Sequence, residues 1–229
     1  MAEPLVSAIV LAYDCERYLG AAIESVLTQT HPRMELVVID NGSSDASREV
    51  AESYTPAIKV WIDPNRGICP ARNTGLAVAR GDYIGFLDGD DLWDARKTEL
   101  QLDAFAADPG LDFVLAWAEQ FISPELSEEK ASRLQAPQEA RPARVLGAML
   151  APRRTWDRVG PWTEELKLSE GLDWFLRAEN AGMREAMLEQ TVLRRRIHGN
   201  NVGLRAPEGR IEFARLLKGR LDQRRRGQS

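Results

Sequence analysis

What this chain has little of narrows the field first. It carries two cysteines, Cys15 and Cys69, in 229 residues, too few for a disulfide framework and without metal-ligand spacing. They read as small, buried or half-buried residues in a reducing compartment. There is no run of about 18 apolar residues that could span a membrane. The N-terminus, Met1-Ala2-Glu3-Pro4, lacks the basic stretch and apolar segment of an export signal. A cytoplasmic location is the resulting expectation. The turn Leu11-Ala12-Tyr13-Asp14 lacks the glycine-rich, basic phosphate loop of a nucleotidyltransferase. No aromatic residue interleaves the last arginines, which argues against a nucleic-acid partner.

What is present is ordinary for a soluble globular domain: 44% hydrophobic and 28% charged residues. The length suits a single large domain with a sizeable core. A net charge of −5 conceals an asymmetry, because from Thr191 onward eleven Lys and Arg face three Asp and Glu. Such a tail is either solvated or in weak peripheral contact with an anionic membrane surface.

Apolar runs of strand length alternate with helical patterns over the first half. VSAIVL (6–11), LVVI (36–39), residues 59–62 and YIGFL (83–87) read as buried strands. Between them, Asp14 is placed to cap a first helix, Ser43 or Ser44 a second, and Pro70 suits the first turn of a third that stops before Gly81. A polar helix over 94–107 and a strand over 112–118 follow. This alternation predicts a mostly parallel sheet with helices on both faces. Residues 121–144 lack periodicity and read as a long functional loop. Beyond them, the pattern suggests a strand at 147–151, a helix over 171–181 ending at Gly182, an edge strand within 187–197 and a C-terminal helix at 211–221.

Acidic residues gather where YIGFL ends, as Asp88-Gly89-Asp90-Asp91. In open α/β sheets ligands bind beyond the carboxyl ends of the strands. Carboxylates this close repel unless a cation lies among them, and oxygen-only ligands suit Mg2+ or Mn2+. The alternative is a helix N-terminus decorated with acids. Asp40-Asn41-Gly42-Ser43 forms a second polar cluster at a strand end, readable as a helix cap or as acceptors for a base N–H. Arg72 reads as a cation in the first turn of its helix, an unfavourable place without an acidic neighbour or a bound anion.

The succession VSAIVLAYD…YLGAAIESVLTQTHPRMELVVIDNGSSD…NRGICPARNTGLAVARGDYIGFLDGDDLW resembles family 2 glycosyltransferases, inverting enzymes of the GT-A fold. The likeness spans Leu5 to Glu99 in four separated motifs. It continues more faintly through GAMLAPRRTWDRVGPWTEEL and SEGLDWFLRAENAG to RRRIHGNN. It implies one α/β GT-A domain with a nucleotide-sugar-binding half (1–110), an acceptor half (111–204) and a basic helix or tail (205–229). A nucleoside diphosphate sugar would be the donor, to an acceptor the sequence does not name. Asp88-Gly89-Asp90 matches the family's DxD element, with Asp90 the main ligand of Mn2+ or Mg2+ and Asp88 a further candidate ligand that would also lie near the ribose or donor sugar. Asp40 and Asn41 match the nucleobase-recognising pair, Ala12 and Tyr13 the loop under the base, and Arg72 an arginine on the nucleotide side. His198 resembles a C-terminal histidine near diphosphate and metal; it also reads as a surface residue of a basic edge.

Two departures bear on the chemistry. The second base-recognising Asp is Asn41. The expected catalytic Asp falls at Gly171, leaving Glu170 and Asp173 as candidate bases, three apart on one helix face. A non-catalytic sugar-nucleotide-binding module is the corresponding alternative. Trp162 reads either as an acceptor-stacking or a core residue, and Trp174 and Phe175 as packing.

Overall fold

The computed structural model of the chain describes residues 3–63, 67–134, 139–166, 168–199 and 201, together with 214, 216 and 218. The strands are β1 (Val6–Ala12), β2 (Met34–Asp40), β3 (Lys59–Ile62), β4 (Tyr83–Asp88), β5 (Leu92–Trp93), β6 (Phe113–Ile122), β7 (Arg141–Ala143), β8 (Ala151–Pro152) and β9 (Glu185–Ile197). The helices are α1 (Glu16–Leu27), α2 (Ser47–Glu52), α3 (Ile68–Val78), α4 (Lys97–Ala107), α5 (Glu128–Arg133), α6 (Arg153–Val159) and α7 (Glu170–Asn180).

One sheet runs β3-β2-β1-β4-β8, parallel except for the two-residue β8. The other runs β5-β9-β6-β7. Apart from the hydrogen-bonded Ser7, strand β1 is apolar because both its faces are covered. Ala8 and Val10 pack toward Leu19, Ile23 and Val26 of α1, while Ile9 packs in a second cluster with Cys69 and Ala71 of α3. Both cysteines are buried in these layers. Chain order reverses direction at β1, whose neighbours are β2 and β4, and this opens a crevice at the strand ends. Register makes those ends level: Ala12 lies beside Asp40, Asp40 beside Ile62, and Leu11 beside Asp88.

Several local expectations are revised. Asp14 does not cap α1; it sits at φ 44° and accepts hydrogen bonds from the Ser44 amide and hydroxyl. Instead the N-termini of α1 and α2 satisfy each other. Asp45 accepts from the Glu16 amide, Glu16 from the Ala46 amide, and the Ser47 hydroxyl from the Cys15 amide. Gly81 is no helix cap: a Cβ there would meet the Ser7 amide nitrogen at 2.5 Å, so it is demanded by contact with β1. Residues 121–144 are not structureless, since they include the end of β6, α5 and β7. The 147–151 strand shrinks to Ala151–Pro152, and β9 is interior, pairing with both β5 and β6. The 211–221 helix and the basic tail fall outside the described residues, apart from 214, 216 and 218, which are helical. Among the described residues, no helix is long and apolar enough to cross a membrane.

Lys97 begins α4 with its side chain wholly buried, donating to Gln101 Oε1 (2.5 Å) and the Met149 carbonyl (3.1 Å) over the face of Trp93. Burial pulls its ammonium from the usual 10.5 down to about 7. Unfolded chains then bind more protons than folded ones between those values, so stability rises with pH from about 7 upward. The slope is at most about 1.4 kcal/mol per pH unit. Above 9 the buried Cys15 thiol, pushed up to about 12, acts in the opposite sense. Urea unfolding at pH 7 and 9 should therefore show a gain in the wild type that Lys97→Met abolishes.

Candidate active site

The site is assembled from the ends of β1, β2 and β4, the start of α7 and the end of β9. Gly89 donates its amide to the Leu11 carbonyl (2.8 Å), and a Cβ there would meet Cys15 Sγ at 2.7 Å. Only glycine lets the acidic turn lie against β1 this closely. The flanking aspartates diverge from it. Asp88 faces Arg72, while Asp90 points toward His198 and Asn201 beyond β9.

Asp90 Oδ2 lies 2.9 Å from His198 Nε2 and 3.3 Å from Asn201 Nδ2, and Asn201 Oδ1 accepts from the His198 amide (2.6 Å). The His198 ring packs on Tyr18 of α1, centroids 4.7 Å apart, and the Arg196 guanidinium covers the same ring at 4.8 Å. Tyr18 also donates to Glu125. Asp91 is buried, accepting from the Arg196 amide at 2.8 Å with Arg195 at 3.7 Å. Burial first, then the charges of Asp90 and Asp88, raise its carboxyl well above the usual range.

Among the described residues, no group of three or more His, Cys, Asp and Glu side chains is arranged to hold a metal. Asp90 and His198 are a pair: one carboxylate oxygen and one imidazole nitrogen turned on each other. Such a donor set fits a divalent cation that takes its remaining ligands from water and phosphate, and the nitrogen suits Mn2+ better than Mg2+.

Arg72 lies in the second turn of α3, not the first, and is buried between the rings of Phe86 and Trp162 (5.1 and 5.9 Å). Its Nη2 reaches Glu170 Oε1 at 3.3 Å and Asp88 Oδ1 at 3.4 Å, whereas Nε and Nη1 have no hydrogen-bond partner among the described residues. This arginine thus stands at the junction of Asp88 and Glu170. Trp162 is core: it is buried, and it donates Nε1 to the Glu170 carbonyl (3.1 Å). Asn73 and Trp162 exchange two further hydrogen bonds, which fixes α3 against the start of α7.

Arg72, Asp88, Asp91 and Glu170 line one end of a cavity of about 510 Å³. Asp173 does not reach it. Its carboxylate pairs with Arg177 at 2.8 Å, and Arg177 in turn donates to the Val159 and Gly160 carbonyls. That pair gives Asp173 a structural partner. Asp40 Oδ1 accepts from the amide and hydroxyl of Ser43 (3.1 and 2.5 Å), and Asn41 Oδ1 accepts from the Gly67 amide (3.2 Å). Tyr13 is half exposed beside them. Tyr18, Arg196 and Asn201 had no signal of their own in the sequence, since Tyr18 fits a helical apolar stripe and Asn201 acquires meaning only through the turn that follows β9.

Residues 7–190 match the family model described as glycosyl transferase family 2. The chain belongs to that family. The chondroitin synthase of Pasteurella multocida (strain Pm70) is 28% identical over 216 residues, covering 88% of this chain and 22% of that protein. The family 2 chain also resembles solved GT-A structures. S. aureus TarS 1–349 in complex with UDP-GlcNAc has a TM-score of 0.68 at 21% identity, covering 88% of this chain and 61% of the other. The mannosyltransferase PcManGT of Pyrobaculum calidifontis, in complex with GDP-Man and Mn2+, gives 0.62 at 21%, covering 87% and 59%. The family 2 domain has the GT-A fold. It spans less than half the length of the curated relatives it matches.

Proposed function

We propose that the chain is a metal-assisted, inverting glycosyltransferase that moves a sugar from a nucleoside diphosphate donor to an acceptor hydroxyl. The observation that carries this is the convergence, at level strand ends, of the Asp40–Asn41 cluster, Asp88, the Asp90–His198 pair and Glu170. In this reading the base lies by Tyr13 and Ala12, with Asp40 and Asn41 at its edge, and Asp88 binds ribose or donor sugar. Asp90 and His198 hold Mn2+ or Mg2+, which when bound supplies Lewis-acid stabilisation of the departing diphosphate. Neighbours that bind UDP-GlcNAc, or GDP-Man with Mn2+, support a sugar-nucleotide donor.

Glu170 accepts the acceptor's proton as the hydroxyl oxygen attacks the anomeric carbon from the face opposite the diphosphate. Arg72 orients Glu170 and Asp88 toward the same cavity, and its two unpartnered nitrogens offer donors to a substrate oxygen. The test is nucleotide release across UDP- and GDP-sugars with Mn2+ present or chelated. Metal-dependent release with one donor supports the proposal; a folded protein that releases nucleotide from none overturns it.

One observation favours a second reading, a sugar-nucleotide binder without turnover. Gly171 stands where a catalytic carboxylate is expected, and among the described residues a Cβ there meets only Leu146 Cγ and Cδ1, at 3.9 and 4.0 Å. Gly171→Asp is therefore sterically tolerated and separates the two. In a binder it creates or raises turnover; in an enzyme that uses Glu170 it gives no gain.

A further inference from the structure

The same cavity has a second wall that sugar chemistry does not explain. Besides its polar residues it is lined by Leu146, Leu168, Leu172, Phe175, Leu176 and Leu193. Helix α7 builds much of it: Leu172, Phe175 and Leu176 recur at helical spacing on one face, while Trp174 and Ala178 are buried in the core. Leu168, Leu172 and Leu176 remain half-buried, each partly open. Gly171 widens the space, since the atoms nearest a Cβ there are Leu146 Cγ and Cδ1.

Ser169 and Glu179 also line the cavity and can meet sugar hydroxyls, but the leucine and phenylalanine side chains cannot, and a hydroxyl buried against them goes uncompensated. Two of the three arginines on the cavity are engaged, while Arg72 keeps two nitrogens without a hydrogen-bond partner among the described residues. Arg144 pairs with Glu185 at 3.0 Å and covers the Phe175 ring, and Arg195 faces Asp91 at 3.7 Å. A volume of about 510 Å³ lies within the range that holds a drug-sized molecule.

We infer that the acceptor is amphiphilic: a hydroxyl at the Glu170 end, carried on or next to an alkyl or aryl group that lies along the α7 leucines. This rests on the transferase reading above, and it names the substrate class of that site. Apolar burial in such a wall is worth about fourfold in affinity per methylene.

The experiment is calorimetry of the full chain, without donor, against n-alkyl β-glucosides from methyl to heptyl, below micelle-forming concentrations. The expected result is a Kd that falls about three- to fourfold per methylene over the longer members. Leu176→Asp flattens the series. So does Gly171→Leu, which fills the cavity from a position with room for a Cβ and so guards against misfolding as the cause. A Kd indifferent to chain length overturns the inference, as does a trend that survives both substitutions. Tighter binding of a uronic-acid tetrasaccharide than of heptyl glucoside also overturns it. Because no donor is present, absence of turnover with an intact chain-length trend sinks the transferase reading alone.

Discussion

Asp90→Asn lowers kcat/KM by about a thousandfold, the size expected when several kcal/mol of Lewis-acid stabilisation is lost. Asp90 is where the two candidate metal ligands meet, its Oδ2 2.9 Å from His198 Nε2. The amide keeps the shape of the side chain but removes the charge that makes a divalent cation favourable there. Asp88 does not substitute, because it is turned away toward Arg72. Mn2+ titration followed by electron paramagnetic resonance should show affinity weakened more than tenfold, with the melting temperature nearly unchanged. Full activity in Asp90→Asn would mean that no cation works at this turn.

The second large effect falls on Glu170→Gln, for which kcat drops by about 10²–10⁴, the usual contribution of a general base. Glutamine keeps an Oε1 to accept from Arg72 Nη2, so orientation survives while proton acceptance does not. Donor KM should change little. Asp173→Asn behaves oppositely, leaving kcat within about twofold and costing about 1 kcal/mol of stability, because it loosens a half-buried pair with Arg177. Steady-state kinetics and urea unfolding of the two variants separate the roles. The reverse ranking would make Asp173 the base.

The first half of the fold was legible because β1, β2 and β4 are buried on both faces and read as unbroken apolar runs. The turn at Asp88-Gly89-Asp90 was legible for a related reason: acids crowded at a strand end have few purely structural uses. What escaped was decided by partners distant in sequence. The capping of α1 depends on Asp45 and Ser47, some thirty residues away. Strand β9 reads as an edge until β5 and β6 pair with its two sides. The position of Arg72 at the Glu170 end is set by Phe86 and Trp162, and the separation of Glu170 from Asp173 by Arg177. Helical spacing alone puts both carboxylates on one face and cannot tell which one meets a cation four residues on.

The most direct test of the account is an anomalous difference map from crystals grown with Mn2+ and the diphosphate nucleotide that binds. The account predicts one strong peak between Asp90 and His198, the two side chains parted by the ion and the diphosphate completing its shell. A well-ordered nucleotide at the strand ends with no peak there, and Asp90 still hydrogen-bonded to His198, would contradict it.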